Sequence, residues 1–158
     1  MIKRSEKLAF MEVGTGADRV FKRMTGFTEF SLSQNPKEYS RKYVDEDMER
    51  VEVVSYSPSI SYKFDADMDN PVHKFLYDVA ERELTGEDAK CSIVIVDISK
   101  DKESGQGTAV LRSFSVIPNS EGDDKDTYTV SGTLRALGKK EFGTATSADN
   151  WQTVTVQA

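Results

Sequence analysis

The sequence predicts a mainly β chain, a β-sandwich or barrel-like domain with one flanking α-helix, and three observations carry that prediction. Short runs alternate apolar and polar residues, as in Ile60-Ser-Tyr-Lys-Phe-Asp65, where Ile60, Tyr62 and Phe64 turn inward against Ser61, Lys63 and Asp65. Turn chemistry such as Ser57-Pro58-Ser59 separates the runs. Only one stretch, Asn70 to Gly86, has helical spacing.

The helix is the organising element. Asn70 can accept the amide hydrogens of a first turn, and Pro71 sits where a missing N–H does no harm. Val72, Phe75, Leu76, Val79 and Leu84 recur at three- and four-residue intervals and share one face, away from Lys74, Asp78, Glu81 and Arg82. Gly86 is expected to supply the left-handed turn that ends it. A single apolar stripe in a β-rich chain must lie on a sheet, so Phe75, Leu76 and Val79 are expected in the core.

At 158 residues the chain suits one domain, 1–158, with a full hydrophobic core. A net charge of −6 argues against a nucleic-acid binder held by a broad basic patch. Cys91 is the only cysteine, which excludes an intrachain disulfide, and its place before Ser92-Ile-Val-Ile-Val96 predicts a buried thiol in a reducing cytoplasm. The longest apolar runs, Leu8 to Met11 and Ile93 to Val96, are too short to span a bilayer, and Met1 to Lys7 lacks an apolar signal core.

In chain order, the stretch through Gly14-Thr-Gly16 reads as an extended arm or an edge strand; it lacks the Gly-Lys-Ser/Thr ending of a phosphate loop. Val20 to Met24 and Phe27 to Leu32 read as strands. From Asn35 to Arg50 the text turns polar and bipolar, with Lys37, Arg41 and Lys42 before Asp45, Glu46, Asp47 and Glu49, and only Tyr39, Tyr43, Val44 and Met48 as anchors. It reads as a long polar loop, either a solvated flap or a contact surface. Val51 to Tyr56 and Ile60 to Asp65 read as two consecutive strands across Ser57 to Ser59.

Asp65, Asp67, Asp69 and Asn70 suggest a calcium loop only superficially, because the mid-loop Gly and bidentate Glu are missing. Cys91 to Ile98 is apolar enough to be a strand covered on both faces. Thr108 to Ile117 and Thr127 to Arg135 form a β-pair, and Lys140 to Thr146 with Trp151 to Val156 forms another. Lys100 to Gly107 and Pro118 to Asp126 are the charged connections between strands.

Catalytic chemistry finds little footing. His73, the only histidine, falls in the first turn of the helix and reads as a partly exposed residue. One His and one Cys are too few for a zinc site of nitrogen and sulfur ligands within one chain, and the carboxylates cluster in turns such as Glu121 to Asp126. No catalytic residue, cofactor or metal is expected, and the chain reads as a non-enzyme.

Several stretches together resemble the major tail (tail tube) proteins of long-tailed bacteriophages, especially those of Gram-positive hosts. They are Asn35-Pro-Lys-Glu-Tyr-Ser-Arg-Lys-Tyr43, Tyr56 to Asp65, Asp69-Asn-Pro-Val72 with Leu76-Tyr-Asp-Val79, Ile93-Val-Ile-Val-Asp97, and Gly143 with Trp151-Gln-Thr-Val-Thr155. The resemblance implies a β-sandwich with one flanking helix, similar also to the type VI secretion tube protein. It further implies hexameric rings that stack into a tube, with β-strands lining the lumen. DNA and the tape-measure protein would pass through, tail terminator and baseplate proteins would cap the ends, and the tube would belong to a virion assembled in the host cytoplasm. The loop that contacts the next ring in that family corresponds to Asn35 to Arg50, which makes Lys37, Tyr39, Arg41, Lys42, Tyr43, Asp45, Glu46, Asp47 and Glu49 the candidate stacking residues. The contrasting reading is a soluble β-sandwich binding module whose long loops form a ligand site.

Overall fold

The computed structural model describes residues 1–13, 20–99, 105–122 and 125–157. The Gly14 to Gly16 segment, most of the Lys100 turn, and Asp123 and Asp124 lie outside them. Ten strands and one α-helix follow in order: β1 (Lys7–Val13), β2 (Val20–Arg23), β3 (Phe27–Ser33), β4 (Pro36–Arg41), β5 (Arg50–Tyr56), β6 (Ser59–Asp65), α1 (Pro71–Glu81), β7 (Lys90–Asp97), β8 (Gln106–Glu121), β9 (Thr129–Thr146) and β10 (Thr153–Gln157). The mainly β architecture with one helix is as the sequence predicts.

Eight strands form one antiparallel sheet in the order β10-β2-β1-β7-β8-β9-β6-β3, and a further pairing of β10 with β9 rolls part of it into a closed barrel. β1 is therefore an interior strand of that barrel, between β2 and β7, and neither an arm nor an edge. Leu8, Phe10, Phe21, Val94, Val96, Ala109, Trp151 and Val154 belong to the cluster that fills it. Closure removes strand edges, the liability of an open sheet.

The far halves of β8 and β9 run out of the barrel and continue, with β6 and β3, as a four-stranded sheet. Helix α1 packs on one face of it through Val72, Leu76 and Val79, against Ile60, Tyr62, Phe64, Ile93, Phe114, Val130 and Leu134. β7 serves both cores, with Ile93 facing the helix side and Val94 and Val96 inside the barrel, which accounts for its near-continuous apolar text.

The helix begins as expected, with Asn70 Oδ1 accepting from Val72 N at 3.0 Å, but it ends earlier. Glu83, at φ 50°, takes the left-handed position, while Leu84 N reaches Val79 O at 3.1 Å and Glu83 N reaches Ala80 O at 3.4 Å. That is a Schellman ending with Leu84 folded back toward the last turn. Gly86 opens the following 3-10 turn instead.

Three other readings change. The Ala136 to Lys139 stretch, which the sequence places between two strands, lies within the single strand β9; Gly138 takes φ 69°, and Arg112 clamps its carbonyl through Nε at 3.2 Å and Nη2 at 2.8 Å. His73 is buried, with Nδ1 accepting from Asp67 N at 3.2 Å and Nε2 set 2.6 Å from Thr25 O. Those two bonds assign the proton to Nε2 and make the ring a brace between the β2–β3 turn and the helix. Phe75, finally, is only half-buried.

Tyr62 is buried, and its hydroxyl has no hydrogen-bond partner among the described residues. Burial, with Cys91 as a lesser cause, pushes its pKa well above the ordinary value. Gly132 makes the room: a Cβ there would stand 2.6 Å from the Tyr62 hydroxyl and 2.7 Å from the Ile117 carbonyl. Because an unsatisfied buried hydroxyl costs free energy, Tyr62→Phe is expected to keep or raise stability, by about 1 kcal/mol in a denaturation midpoint. A clear loss would mean that the hydroxyl is partnered.

The turn before β10 is pinned by Asp149. Its carboxylate accepts from Thr153 Oγ1 at 2.6 Å, Thr153 N at 3.0 Å and Ser147 Oγ at 3.0 Å, while Trp151, at φ 63°, donates its N–H to Ser147 Oγ at 2.9 Å. The Thr153 bonds lower the Asp149 pKa from 3.8 to about 2. A depressed carboxylate stabilises the fold above its ordinary pKa, and that contribution fades as pH falls from about 4 through about 2. Asp149→Ala is therefore expected to lower stability at neutral pH and to flatten the pH dependence of the melting temperature in that window.

Candidate assembly surface

The segment read as a loop from Asn35 to Arg50 is in fact the first strand and tip of a β-hairpin arm. β4 pairs antiparallel with β5 from Pro36 opposite Tyr56 to Arg41 opposite Arg50, in a two-stranded sheet separate from the body. β5 and β6, read as two consecutive strands across Ser57-Pro58-Ser59, are consecutive but do not pair with each other: β5 pairs with β4 in the arm and β6 with β3 and β9 in the body. Asn35, at φ 46°, redirects the chain, and its Nδ2 donates to Ser57 O and Ser59 Oγ, both at 3.0 Å, which ties the two ends of the arm together. Every residue of both strands is exposed.

The candidate residues divide into two groups. Arg41 lies over the rings of Tyr39 and Tyr43, at 5.5 and 5.9 Å, and Arg50 lies over Tyr43 at 5.5 Å. Arg50 also pairs with Glu46 through two hydrogen bonds, the Nε–Oε2 one at 2.8 Å. These contacts stiffen the tip and neutralise one of its carboxylates. Lys37, Lys42, Asp45, Asp47 and Glu49 stay outside that cluster, and the last three form no ion pair among the described residues. The tip therefore presents bare acid on a cation-braced stem.

Sequence reasoning missed Arg50 and the apolar content of the second strand. Val51, Val53, Val54 and Tyr56 are 49–61% exposed, and Val44 and Met48 stand fully or largely exposed at the tip. Isolated exposed apolar groups are ordinary; a continuous run of them on a hairpin with no packed face marks a contact surface. The signal was present in Val51-Glu-Val-Val54, whose lack of clean alternation fits no half-buried strand.

The body offers a second surface. Opposite the helix, the four-stranded sheet carries cross-strand rows of small hydroxyls: Ser31, Ser61 and Thr133 leading to Ile117; Ser33 and Ser59 leading to Arg135 and Ser115; and Glu29 with Lys63 leading to Ser131 and Ser120. Ser120 and Ser131 are joined through their Oγ atoms at 2.8 Å. Both outer edges of this sheet lack a strand partner among the described residues. One is β3, paired only with β6; the other is β8 beyond Ser115, where the pairing with β7 stops.

Nothing in the described residues gathers three or more metal-ligating side chains. The acids before the helix serve local turns, with Asp67 Oδ1 accepting from Asp69 N and Asp65 Oδ1 from Thr127 Oγ1, both at 3.0 Å. Cys91 is half-buried, and burial pushes its thiol up to about 12, which keeps it protonated and unreactive at neutral pH. No helix of the described residues is long and apolar enough to cross a membrane.

The described residues thus form a barrel extended by a two-edged sheet, with a hairpin arm in a sheet of its own. Among solved structures the fold is shared with a chain in the tail of an empty GTA particle, determined by helical refinement with C6 symmetry. The TM-score is 0.62 at 14% identity, covering 90% of this chain and 98% of the other. A chain of the sixfold-symmetrised baseplate of the anti-feeding prophage (AFP) matches more loosely, with a TM-score of 0.48 at 10% identity over 87% of this chain and 91% of that one. No family model and no curated protein sequence matches the chain. The fold is thus shared with that chain of the GTA tail.

Proposed function

We propose that this chain is the structural subunit of a phage-like tail tube, built as hexameric rings stacked into a conduit, without catalytic turnover. The observation that carries the reading is the pair of open strand edges at opposite sides of one sheet. A single copy satisfies neither edge, whereas β3 of one copy beside the far half of β8 of the next satisfies both and continues the sheet around a ring. The C6 symmetry of the GTA tail supports a ring of six.

In such a ring the hydroxyl face lines the lumen and the helix faces outward. Overall acidity alone suggests a lining that repels DNA, but this face balances Glu29 and Asp65 against Lys63 and Arg135 among its hydroxyls. DNA and a tape-measure protein would then slide because the lining offers few cations to phosphate and little apolar surface to protein. The arm projects along the tube to the neighbouring ring, and terminator and baseplate proteins would occupy the two ends of a virion's tail.

Negative-stain microscopy and light scattering on the purified protein test this directly. Rings or tubes are expected, together with no retardation of duplex DNA at physiological salt. A monodisperse monomer at every concentration would overturn the reading, and salt-sensitive, tight DNA binding would favour a binding module.

A further inference from the structure

We infer that the acidic tip of the arm docks into a basic cleft on a second copy of this chain, at the opposite end of strand β3. The inference rests on the tube reading above, and it names the surface that receives the arm.

The cleft has a volume of about 760 Å³, and Arg4, Lys7 and Arg23 supply its charge, with Glu29 as the single acid. Leu8, Ala9, Met24, Phe27 and Phe30 supply its apolar lining. In a chain of net charge −6, three cations around one opening stand out. Arg4 spends its guanidinium on carbonyls, donating to Lys7 O at 3.0 Å and Phe30 O at 3.5 Å. None of the three cations has a carboxylate partner among the described residues. The cleft is therefore a cationic, partly apolar receptor.

The tip is its complement in both respects. Asp45, Asp47 and Glu49 bring uncompensated negative charge, and Val44 and Met48 are 107% and 79% exposed, ready to cover apolar lining. Charge would steer the encounter and fix its register, while the two apolar side chains supply affinity, since exposed ion pairs alone are weak.

Placement decides between self-contact and stacking. The cleft lies beside Phe27 to Phe30, at the start of β3, whereas the arm leaves just after Ser33, at its finish. That strand spans about 20 Å, and the arm carries the tip at least a similar distance beyond its base. Donor and acceptor at opposite ends make a head-to-tail contact, which propagates as an open stack.

Charge reversal with rescue tests the docking. Arg4→Glu with Arg23→Glu is expected to leave rings but to reduce the polymerised fraction at least tenfold, and Asp45→Lys with Asp47→Lys is expected to do the same. The chain carrying all four changes should regain tubes. A second measurement avoids dependence on charge: Met48→Cys combined with Thr28→Cys, treated with a mild oxidant, should give a ladder of covalent multimers on a non-reducing gel, whereas the parent, which carries the half-buried Cys91 alone, should give none. Either single cysteine variant should give no ladder. Tubes that form normally with the reversed cleft, a fourfold variant that stays unable to elongate, or tubes without a ladder would overturn the docking and leave the tube reading standing. A parent protein that forms neither rings nor tubes would overturn both.

Discussion

Replacing residues 36–56 with a short Gly-Ser link is expected to leave a folded protein that forms rings and no tubes. The arm can be removed because it contributes nothing to either core: both of its strands are exposed throughout, and neither buried cluster includes a residue from it. Asn35 and Ser57 already lie within hydrogen-bond reach, so a brief link closes the gap. Because no buried contact is lost and a shorter link costs less closure entropy, the thermal midpoint should stay close to the parent's. Loss of tubes with retained rings, seen by microscopy and sedimentation, would place the axial contact on the arm. Tubes of parental length would place it on the body.

Leu76→Ala is expected to lower the free energy of unfolding by about 2–5 kcal/mol, the cost of emptying a fully buried leucine site. Leu76 is 0% exposed and belongs to the buried cluster between α1 and the sheet, so its truncation leaves a cavity that the surrounding core fills only in part. Lys74→Ala, on the exposed face, should be nearly silent. The comparison belongs in dilute protein, because assembly adds stability by mass action. An unchanged denaturation midpoint for Leu76→Ala would mean that the helix does not rest on its assigned face.

The helix was legible because its signals are local: a cap at Asn70, a proline at the first position and an apolar stripe. Its end was not, because a non-glycine residue, Glu83, adopts the left-handed turn and only the closing hydrogen bonds reveal it. Strands with one buried face, such as β6, were equally plain. The arm hid for the opposite reason: Pro36 to Arg41 buries neither face, so no alternation announces a strand, and its pairing with β5 depends on Asn35 and on the absence of a better partner. His73 was misjudged because burial of a first-turn residue depends on what crosses above the helix, here the turn at Thr25. Of the candidate contact residues, the charges were visible in order, but their sorting into a neutralised stem and an acidic tip needed the cross-strand register of Arg41 and Arg50. The cleft was invisible, since Arg4, Arg23 and Glu29 come together only through the β1–β2 and β3 placement.

The two long strands β8 and β9 carry one further consequence. Each passes from the barrel core to the helix-covered core, and the one irregularity in their ladder between the two, at Arg112 and Gly138, is bridged by the Arg112 guanidinium, so the two cores share a continuous backbone and are expected to melt together. The protein should lose structure as one cooperative unit, with amide protection of comparable strength in β1 and in α1, although no side chain of the barrel interior touches the helix stripe. A subunit wired this way is expected to answer a load on either half as a whole.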